Sequence, residues 1–295
     1  MGIASRPSPP LLAAFGLGLA AAALLTVSPA SAYCRSTTCR GDDCPRDENG
    51  CKTTGAKLAW ASRCVGISIQ KDGTVNLPMS KVKPALEAAF ATWNAVTCDG
   101  APLSMKITEL AEVSCHEAQY NPDGPNANIV MFQDNRWNYH GPDDTLAKTT
   151  VTYDMDTGEI FDADIEINYA YNEFTVGDQD VVYDLQSIVT HETGHFLGLD
   201  HSLDPEATMN ASYDPGTTDL RTLADDDIAA ICAVYPPGRK ASCDPTPRNG
   251  LGDVCAAAAT KSGCSVSPGG SSAGGLVALL GGVGLIAAAA RRRAS

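Results

Sequence analysis

Apolar residues between positions 58 and 237 follow two different periods along the chain. Five short stretches are apolar or alternate between apolar and polar residues: 65–70, 103–110, 128–132, 149–153 and 162–168. Turn sequences such as Lys71-Asp72-Gly73 and Asp156-Thr157-Gly158 bound some of them. Because successive side chains of a strand point to opposite faces, this pattern predicts five β-strands.

Three other segments have apolar residues three or four positions apart, which is the spacing of an amphipathic helix. The first helix is predicted to begin at the capping residue Ser80 and to bury Trp93 in the core. Its apolar stripe consists of Val82, Ala85, Leu86, Ala89, Phe90 and Trp93. The second helix is predicted to begin at Asp184, and the third at a capping box formed by Thr222 and Asp225. All of these elements lie in a predicted main domain, 58–237.

The first 32 residues have a different pattern. A short start with one charge, Arg6, precedes a long apolar stretch that ends in Ala30-Ser31-Ala32. This order is typical of a secretory signal peptide, and it predicts cleavage after Ala32. An amino-terminal membrane anchor is the alternative interpretation.

The last 32 residues, 264–295, also stand apart from the main domain. Cys264 is followed by a spacer rich in Gly, Ser and Pro, an apolar run at 276–290 and three arginines. A membrane-spanning helix needs about 20 apolar residues, so this run is short for one. We nevertheless expect a short transmembrane tail, with its arginines on the cytoplasmic side.

Charge narrows the set of partners. The 295 residues include 21 basic and 35 acidic ones, for a net charge of −14. Removing residues 1–32 and 264–295 leaves 17 basic and all 35 acidic residues. A chain this acidic repels phosphate groups, so we exclude nucleic acid as a partner and expect membrane contact through the tail alone. We expect the protein to be a monomer.

The chain has an odd number of cysteines, 11. Four lie in a polar leader, 33–57, and two in a linker, 238–263. Export to an oxidising compartment would allow ten cysteines to form five disulfides, which leaves Cys264 over. The spacing of the cysteines does not determine their pairing.

The strongest chemical signal is the sequence HETGHFLGLDH at residues 191–201. Residues four apart share a helix face, so His191 and His195 can bind the same ion. Gly198 allows the chain to leave the helix and return His201 as a third ligand. Glu192 can then reach a water at the metal without being a ligand. Three neutral ligands and one open position are typical of catalytic zinc; surface histidines on an amphipathic helix are the alternative.

The pattern HExxHxxGxxH followed by Met209 is the metzincin signature. The sequence after it, including Asp204-Pro205 and the segment 226–235, resembles the matrixin branch, and the resemblance extends from about residue 58 to 235. It implies an α+β metzincin fold with a twisted mixed five-stranded sheet, three helices and a cleft between upper and lower subdomains. It also implies zinc on His191, His195 and His201, Glu192 as general base, and Met209 as a hydrophobic floor beneath the metal.

Weaker signals concern residues around this motif. Tyr213 is expected to line the substrate pocket, with oxyanion stabilisation as the alternative. The resemblance implies calcium, for which Asp154, Asp156 and Asp162 are candidates; an ordinary acidic turn is the alternative, since the glycine spacing is not that of an EF-hand. Asp143 and Asp144 have the same two interpretations. His116 and His140 are expected to be loop histidines. No second zinc is predicted, because Lys148 occupies a position where matrixins hold a histidine.

These observations favour an exported zinc metalloendopeptidase that hydrolyses proteins or peptides. Residues 264–295 resemble bacterial C-terminal sorting signals, most closely the myxobacterial kind. This implies processing near Cys264 and a location at the cell surface, the outer membrane or outside the cell. Two alternatives stay open: a zinc-binding surface adhesin without turnover, and a structural zinc domain, which would need a fourth protein ligand.

Overall fold

The computed structural model describes residues 32–41, 43–139 and 145–255, and the backbone of residues 277–288. Several predicted features lie outside these ranges: the signal peptide apart from Ala32, the residues His140, Asp143 and Asp144, and the processing site Cys264.

A mixed β-sheet forms the centre of the fold, and its five main strands correspond to the five predicted runs. They are β1 (Cys64–Ile69), β2 (Lys106–Glu109), β3 (Ile129–Phe132), β4 (Thr145–Asp154) and β5 (Ile160–Ile167). Their order is β4-β5-β3-β1-β2; β4 runs antiparallel to β5, and the other neighbours are parallel. β4 begins four residues earlier than predicted because pairing with β5 continues back to Ala147, opposite Ile167.

The described part of the chain contains three α-helices, which confirms the predicted fold class. They are α1 (Met79–Asn94), α2 (Leu185–Phe196) and α3 (Asp225–Val234). α1 and α2 pack against each other and against the sheet. Trp93 is only 1% exposed and donates from its indole nitrogen to the carbonyl of Thr190 at 2.8 Å, so its predicted core position is confirmed.

Only one of the three predicted helix caps is confirmed. Asp184 caps α2, with its carboxylate accepting from the Ser187 N–H at 2.9 Å. α1 instead begins after Pro78 without a side-chain cap. The predicted capping box at α3 is also wrong, because the helix begins after Ala224. The backbone N–H of Ala224 donates to the carboxylate of Asp227.

Short elements connect this framework. The two-residue strands pair Cys34–Arg35 with Leu199–Asp200, Thr97–Cys98 with Ala101–Pro102, and Phe174–Thr175 with Tyr183–Asp184. A further short strand is Ser212–Tyr213, and a single 3-10 turn covers Asp219–Arg221.

Ten cysteines form five disulfides, as predicted. The pairs are Cys34–Cys51, Cys39–Cys44, Cys64–Cys243, Cys98–Cys232 and Cys115–Cys255. The first two close the leader on itself. Two others, through Cys64 and Cys115, attach the linker to the main domain. The leader also contacts α3, since the backbone N–H of Tyr33 donates to Asp226 at 3.1 Å.

The predicted transmembrane tail is wrong. Within the described ranges, no helix is both long enough and apolar enough to cross a bilayer. The described part of the tail is instead a strand, β6 (Val277–Ala288), which pairs antiparallel with β4 and parallel with Ser212–Tyr213. Glycines at 281, 282 and 284 disfavour a helix in this run, and β4 offers an edge with which an extended segment can pair.

The disulfide pattern predicts unequal contributions to stability. The Cys98–Cys232 bridge joins residues 134 positions apart, whereas Cys39 and Cys44 are separated by 5. Loop entropy therefore predicts that replacing Cys98 and Cys232 by Ala lowers the free energy of unfolding by ~5 kcal/mol, against ~2 kcal/mol for the Cys39/Cys44 pair. Denaturant titration of both double variants measures the difference, and equal losses would contradict the entropic origin.

Candidate metal centre

The site begins with helix α2, which is held in place by its N-cap residue, Asp184. Asp184 is fully buried, and its two carboxylate oxygens accept from Nε and a terminal nitrogen of Arg221 at 2.7 Å each. This ion pair joins the start of α2 to the 3-10 turn. Nearly every residue of the helix is buried, so its polar side chains must find partners inside the protein.

The structure brings the three predicted ligands together. Nε2 of His191 lies 3.0 Å from Nε2 of His195, which lies 3.2 Å from Nε2 of His201. Among the described residues, this is the one group of three candidate ligand side chains whose ligand atoms lie within 4.8 Å of one another. A tetrahedral zinc site with bonds of ~2.05 Å needs nitrogen pairs ~3.4 Å apart, so the spacing fits zinc.

The hydrogen bonds of the opposite ring nitrogens strengthen this assignment. Nδ1 of His191 contacts the carbonyl oxygen of Thr208 at 2.7 Å, and Nδ1 of His195 contacts that of Leu199 at 2.9 Å. A carbonyl only accepts, so each Nδ1 carries the proton and, in a neutral ring, each Nε2 presents a bare lone pair. Two lone pairs 3.0 Å apart repel each other unless a cation lies between them.

Burial keeps these rings neutral. It lowers the pKa of His191 and of His195, and it lowers the pKa of His201 to about 3. Neighbouring imidazoles lower two of these values further: those of His195 and His201 act on His191, and that of His195 acts on His201. Neutral imidazole is the form that binds a metal ion. The donor set therefore fits zinc in both geometry and protonation.

Gly198 directs the chain from α2 to the third ligand. Its φ is +92°, and a Cβ at this position would lie 2.7 Å from the carbonyl oxygen of Leu58, so a larger residue would be strained and crowded. The following strand, Leu199–Asp200, pairs with the leader. Asp200 then accepts from the backbone N–H of His201 at 2.9 Å, which holds the ligand at the end of this turn.

Glu192 lies beside the histidines in a fully buried position. Its Oε2 accepts from the hydroxyl of Thr149 at 2.6 Å, whereas its Oε1 has no hydrogen-bond partner among the described residues. Burial raises the pKa of Glu192 to about 8, although Thr149 and the Lys148 cation act in the opposite direction. The carboxyl group is thus able to exchange a proton near neutral pH.

Met209 lies against the first turns of the motif. A Cβ on Gly194 would be 2.2 Å from the sulfur of Met209, so the glycine is what allows this close contact. Asp227 holds the segment in place, because its carboxylate accepts from the backbone N–H groups of Thr208 at 2.7 Å and Met209 at 3.0 Å. The carbonyl of Thr208 in turn orients His191.

Four residues of this site were not predicted from the sequence: Thr149, Thr208, Arg221 and Asp227. Asp227 had a sequence signal, since it belongs to a run of three aspartates, 225–227, at the start of a helix. Thr149 had a weaker one, as a hydroxyl residue in a strand whose alternate positions 147, 151 and 153 are apolar or aromatic. Thr208 acts through its backbone, which no side-chain pattern reveals.

The three calcium candidates, Asp154, Asp156 and Asp162, do not form a cluster in the structure. Asp154 is the last residue of β4, and its carboxylate accepts from the N–H groups of Asp156 and Thr157 in the turn that follows. Asp156 is exposed, whereas Asp162 is buried inside β5, where burial raises its pKa. These carboxylates therefore do not form a three-ligand group.

Tyr213, His116 and Lys148 are all outside the cluster of histidines. The Tyr213 hydroxyl accepts from the N–H of Asp184 and donates to the carbonyl of Thr217. His116 is an exposed loop residue. Lys148 lies 3.6 Å from the centroid of the Tyr139 ring and donates to Thr150 at 2.9 Å.

Comparison with known proteins agrees with this geometry. Matrix metalloproteinase-C of Caenorhabditis elegans is 29% identical over 203 residues, covering 64% of this chain and 32% of that protein. Metalloendoproteinase 1-MMP of Arabidopsis thaliana is 41% identical over 68 residues, 23% of this chain and 18% of that protein. Neutrophil collagenase of Homo sapiens is 27% identical over 190 residues, 64% of this chain and 36% of that protein.

The chain thus spans between 18% and 36% of the length of these three curated relatives. A family model described as Matrixin matches residues 59–236, which is more than half of the chain and includes every element of the metal centre. The protein belongs to the matrixin family.

Proposed function

We propose that this chain is an exported zinc endopeptidase that hydrolyses peptide bonds in proteins or peptides. One observation supports this above all. Three imidazole nitrogens converge beside a buried carboxylate that has one oxygen without a partner among the described residues. The names of the relatives, which are metalloproteinases and a collagenase, agree with this reaction class.

The residues of the site have distinct roles in the proposed reaction. His191, His195 and His201 would hold a zinc ion, which would supply Lewis acidity for the scissile carbonyl and would lower the pKa of water to ~7. Glu192 accepts a proton from the attacking water on Oε1 and returns it to the amine that leaves. Its pKa of about 8 suits both halves of this transfer. Near neutral pH the carboxylate can accept a proton and the carboxylic acid can donate it.

We propose that the substrate binds as an extended strand along β4. In this chain β6 pairs antiparallel with β4 and parallel with Ser212–Tyr213, so both segments accept an extended backbone between them. Strand addition supplies backbone hydrogen bonds with little dependence on sequence. A substrate peptide must take the place of β6, and activity assays should therefore use both the full chain and a chain ending at Gly263.

Side-chain selectivity would come from the loop that follows Met209. A cavity of about 200 Å³ is lined there by Pro205, Asn210, Ser212, Tyr213, Asp214, Thr217, Asp219 and Leu220. Both hydrogen bonds of the Tyr213 hydroxyl are used within the protein, which argues against a role as an oxyanion donor. We therefore assign Tyr213 to the wall of this pocket.

Export and surface sorting belong to the same proposal. Five disulfides require an oxidising compartment, which agrees with a signal peptide cleaved after Ala32. Tyr33, the residue after that position, is already attached to α3 through Asp226. We propose that Cys264 is the processing site of a C-terminal sorting signal.

Replacing Glu192 by Gln tests the general base. The change keeps the shape of the side chain but removes its proton affinity, so we expect peptide cleavage to fall ~100- to 10,000-fold while one zinc per chain is retained. Metal analysis and a peptide-library assay measure the two quantities. Glu87→Gln, on the exposed face of α1, is the matched control. Unchanged cleavage by Glu192→Gln would contradict the mechanism, and a wild type that binds zinc but cleaves nothing would favour the adhesin.

Removing the metal tests whether zinc is catalytic or structural. We expect a chelator to abolish cleavage and added zinc to restore it, while the far-ultraviolet circular dichroism changes little. The physical reason is that five disulfides and a large core hold the fold independently of the three ligands. Unfolding on chelation would instead favour the structural zinc domain.

Mass spectrometry of the protein from its natural host tests the sorting proposal. We expect the mature chain to begin at Tyr33 and to end near Cys264, because the other ten cysteines are already paired. A disulfide that includes Cys264 within an intact mature chain would contradict the proposed processing.

A further inference from the structure

Thr149 is a polar residue between apolar neighbours on one face of β4. Side chains at alternate positions share a face of the strand, and Ala147, Val151 and Tyr153 belong to the hydrophobic core. Thr149 itself has no exposed surface. A hydroxyl buried among apolar groups is unfavourable unless it is hydrogen-bonded, so the identity of its partner explains its presence.

That partner is Glu192. The Thr149 oxygen lies 2.6 Å from Oε2 of the carboxylate and 3.1 Å from the backbone carbonyl of the same residue. A hydroxyl has one proton to donate, and the shorter contact with the more basic oxygen takes it. The two residues are 43 positions apart, so this hydrogen bond joins the edge strand directly to the helix that holds the metal ligands.

The hydrogen bond makes the two carboxylate oxygens unequal. Oε2 is held by Thr149, and Oε1 has no partner among the described residues. Rotation about the terminal torsion of a glutamate is otherwise soft, so the bond selects one orientation of the carboxylate plane. A general base held in one orientation transfers protons faster than one that must be reoriented in each cycle.

We propose that Thr149 is a positioning residue that holds Oε2 of Glu192 and thereby assigns Oε1 as the oxygen that accepts and returns the proton. The inference rests on the proposed peptidase function. It concerns the rate of the chemical step rather than substrate binding, since Thr149 is buried on the side of β4 that faces α2. Loss of the hydroxyl should therefore change kcat and leave KM nearly unchanged.

Two substitutions at position 149 separate the hydrogen bond from packing. Thr149→Val keeps the shape of the side chain and removes the hydroxyl, and we expect kcat to fall ~10- to 100-fold with KM within about twofold. Thr149→Ser keeps the hydroxyl, and we expect kcat within about threefold of wild type. Thr108→Val is the matched control, because Thr108 lies on β2, at the opposite edge of the five main strands from β4.

Each variant is assayed as the full chain and as a chain ending at Gly263, together with its zinc content and melting temperature. A crystal structure of Thr149→Val supplies a readout independent of activity, and it should show the Glu192 carboxylate rotated or disordered. If Thr149→Val does not fold, Thr149→Ala replaces it in the comparison with Thr149→Ser.

The outcomes distinguish the inference from the proposed function. A wild type without chelator-sensitive cleavage would refute the peptidase proposal. An active wild type with wild-type kcat in Thr149→Val, equal losses in Val and Ser variants, or an unmoved Glu192 carboxylate would refute the role of Thr149. A selective loss of kcat in Thr149→Val that Thr149→Ser restores would support it.

Discussion

Three imidazole nitrogens that face one another, those of His191 and His195 with bare lone pairs, are the constraint on which the rest of the site depends. In the absence of a cation these lone pairs repel, so the fold must hold the three residues together by bonds made elsewhere. The Thr208 and Leu199 carbonyls do this for His191 and His195, and Asp200 holds the backbone of His201. Each of these groups is in turn held by another segment of the chain.

This dependence extends outward from the metal centre. Asp227 of α3 holds the Thr208–Met209 segment, and Arg221 joins the start of α2 to the 3-10 turn. The leader pairs with Leu199–Asp200 and so supports the turn that carries the third ligand. Disulfides close the leader and attach the linker to the domain. The cysteine-rich leader therefore supports the metal centre in addition to stabilising the fold.

Strand β4 connects the catalytic side of the protein with the opposite face of the sheet. On one face Thr149 contacts Glu192, and on the other Lys148 lies over the ring of Tyr139, whose hydroxyl donates to Glu166. The edge of the same strand pairs with β6. One strand thus contacts Glu192, lies against the ring of Tyr139 and pairs with an extended backbone.

The sequence by itself determined the features that depend on local periodicity. The spacing of His191, His195 and His201 needs only a helical turn and one glycine, so the ligands, Glu192 and the core role of Trp93 followed from residues close together in the chain. The number of disulfides followed from the cysteine count. Only the tertiary structure decided the contacts between distant segments: the five pairings, the Asp227 and Arg221 supports, the caps of α1 and α3, and the extended tail beside β4. Thr149 and Glu192 are 43 residues apart, and no local pattern predicts that packing α2 against β4 brings them to hydrogen-bond distance.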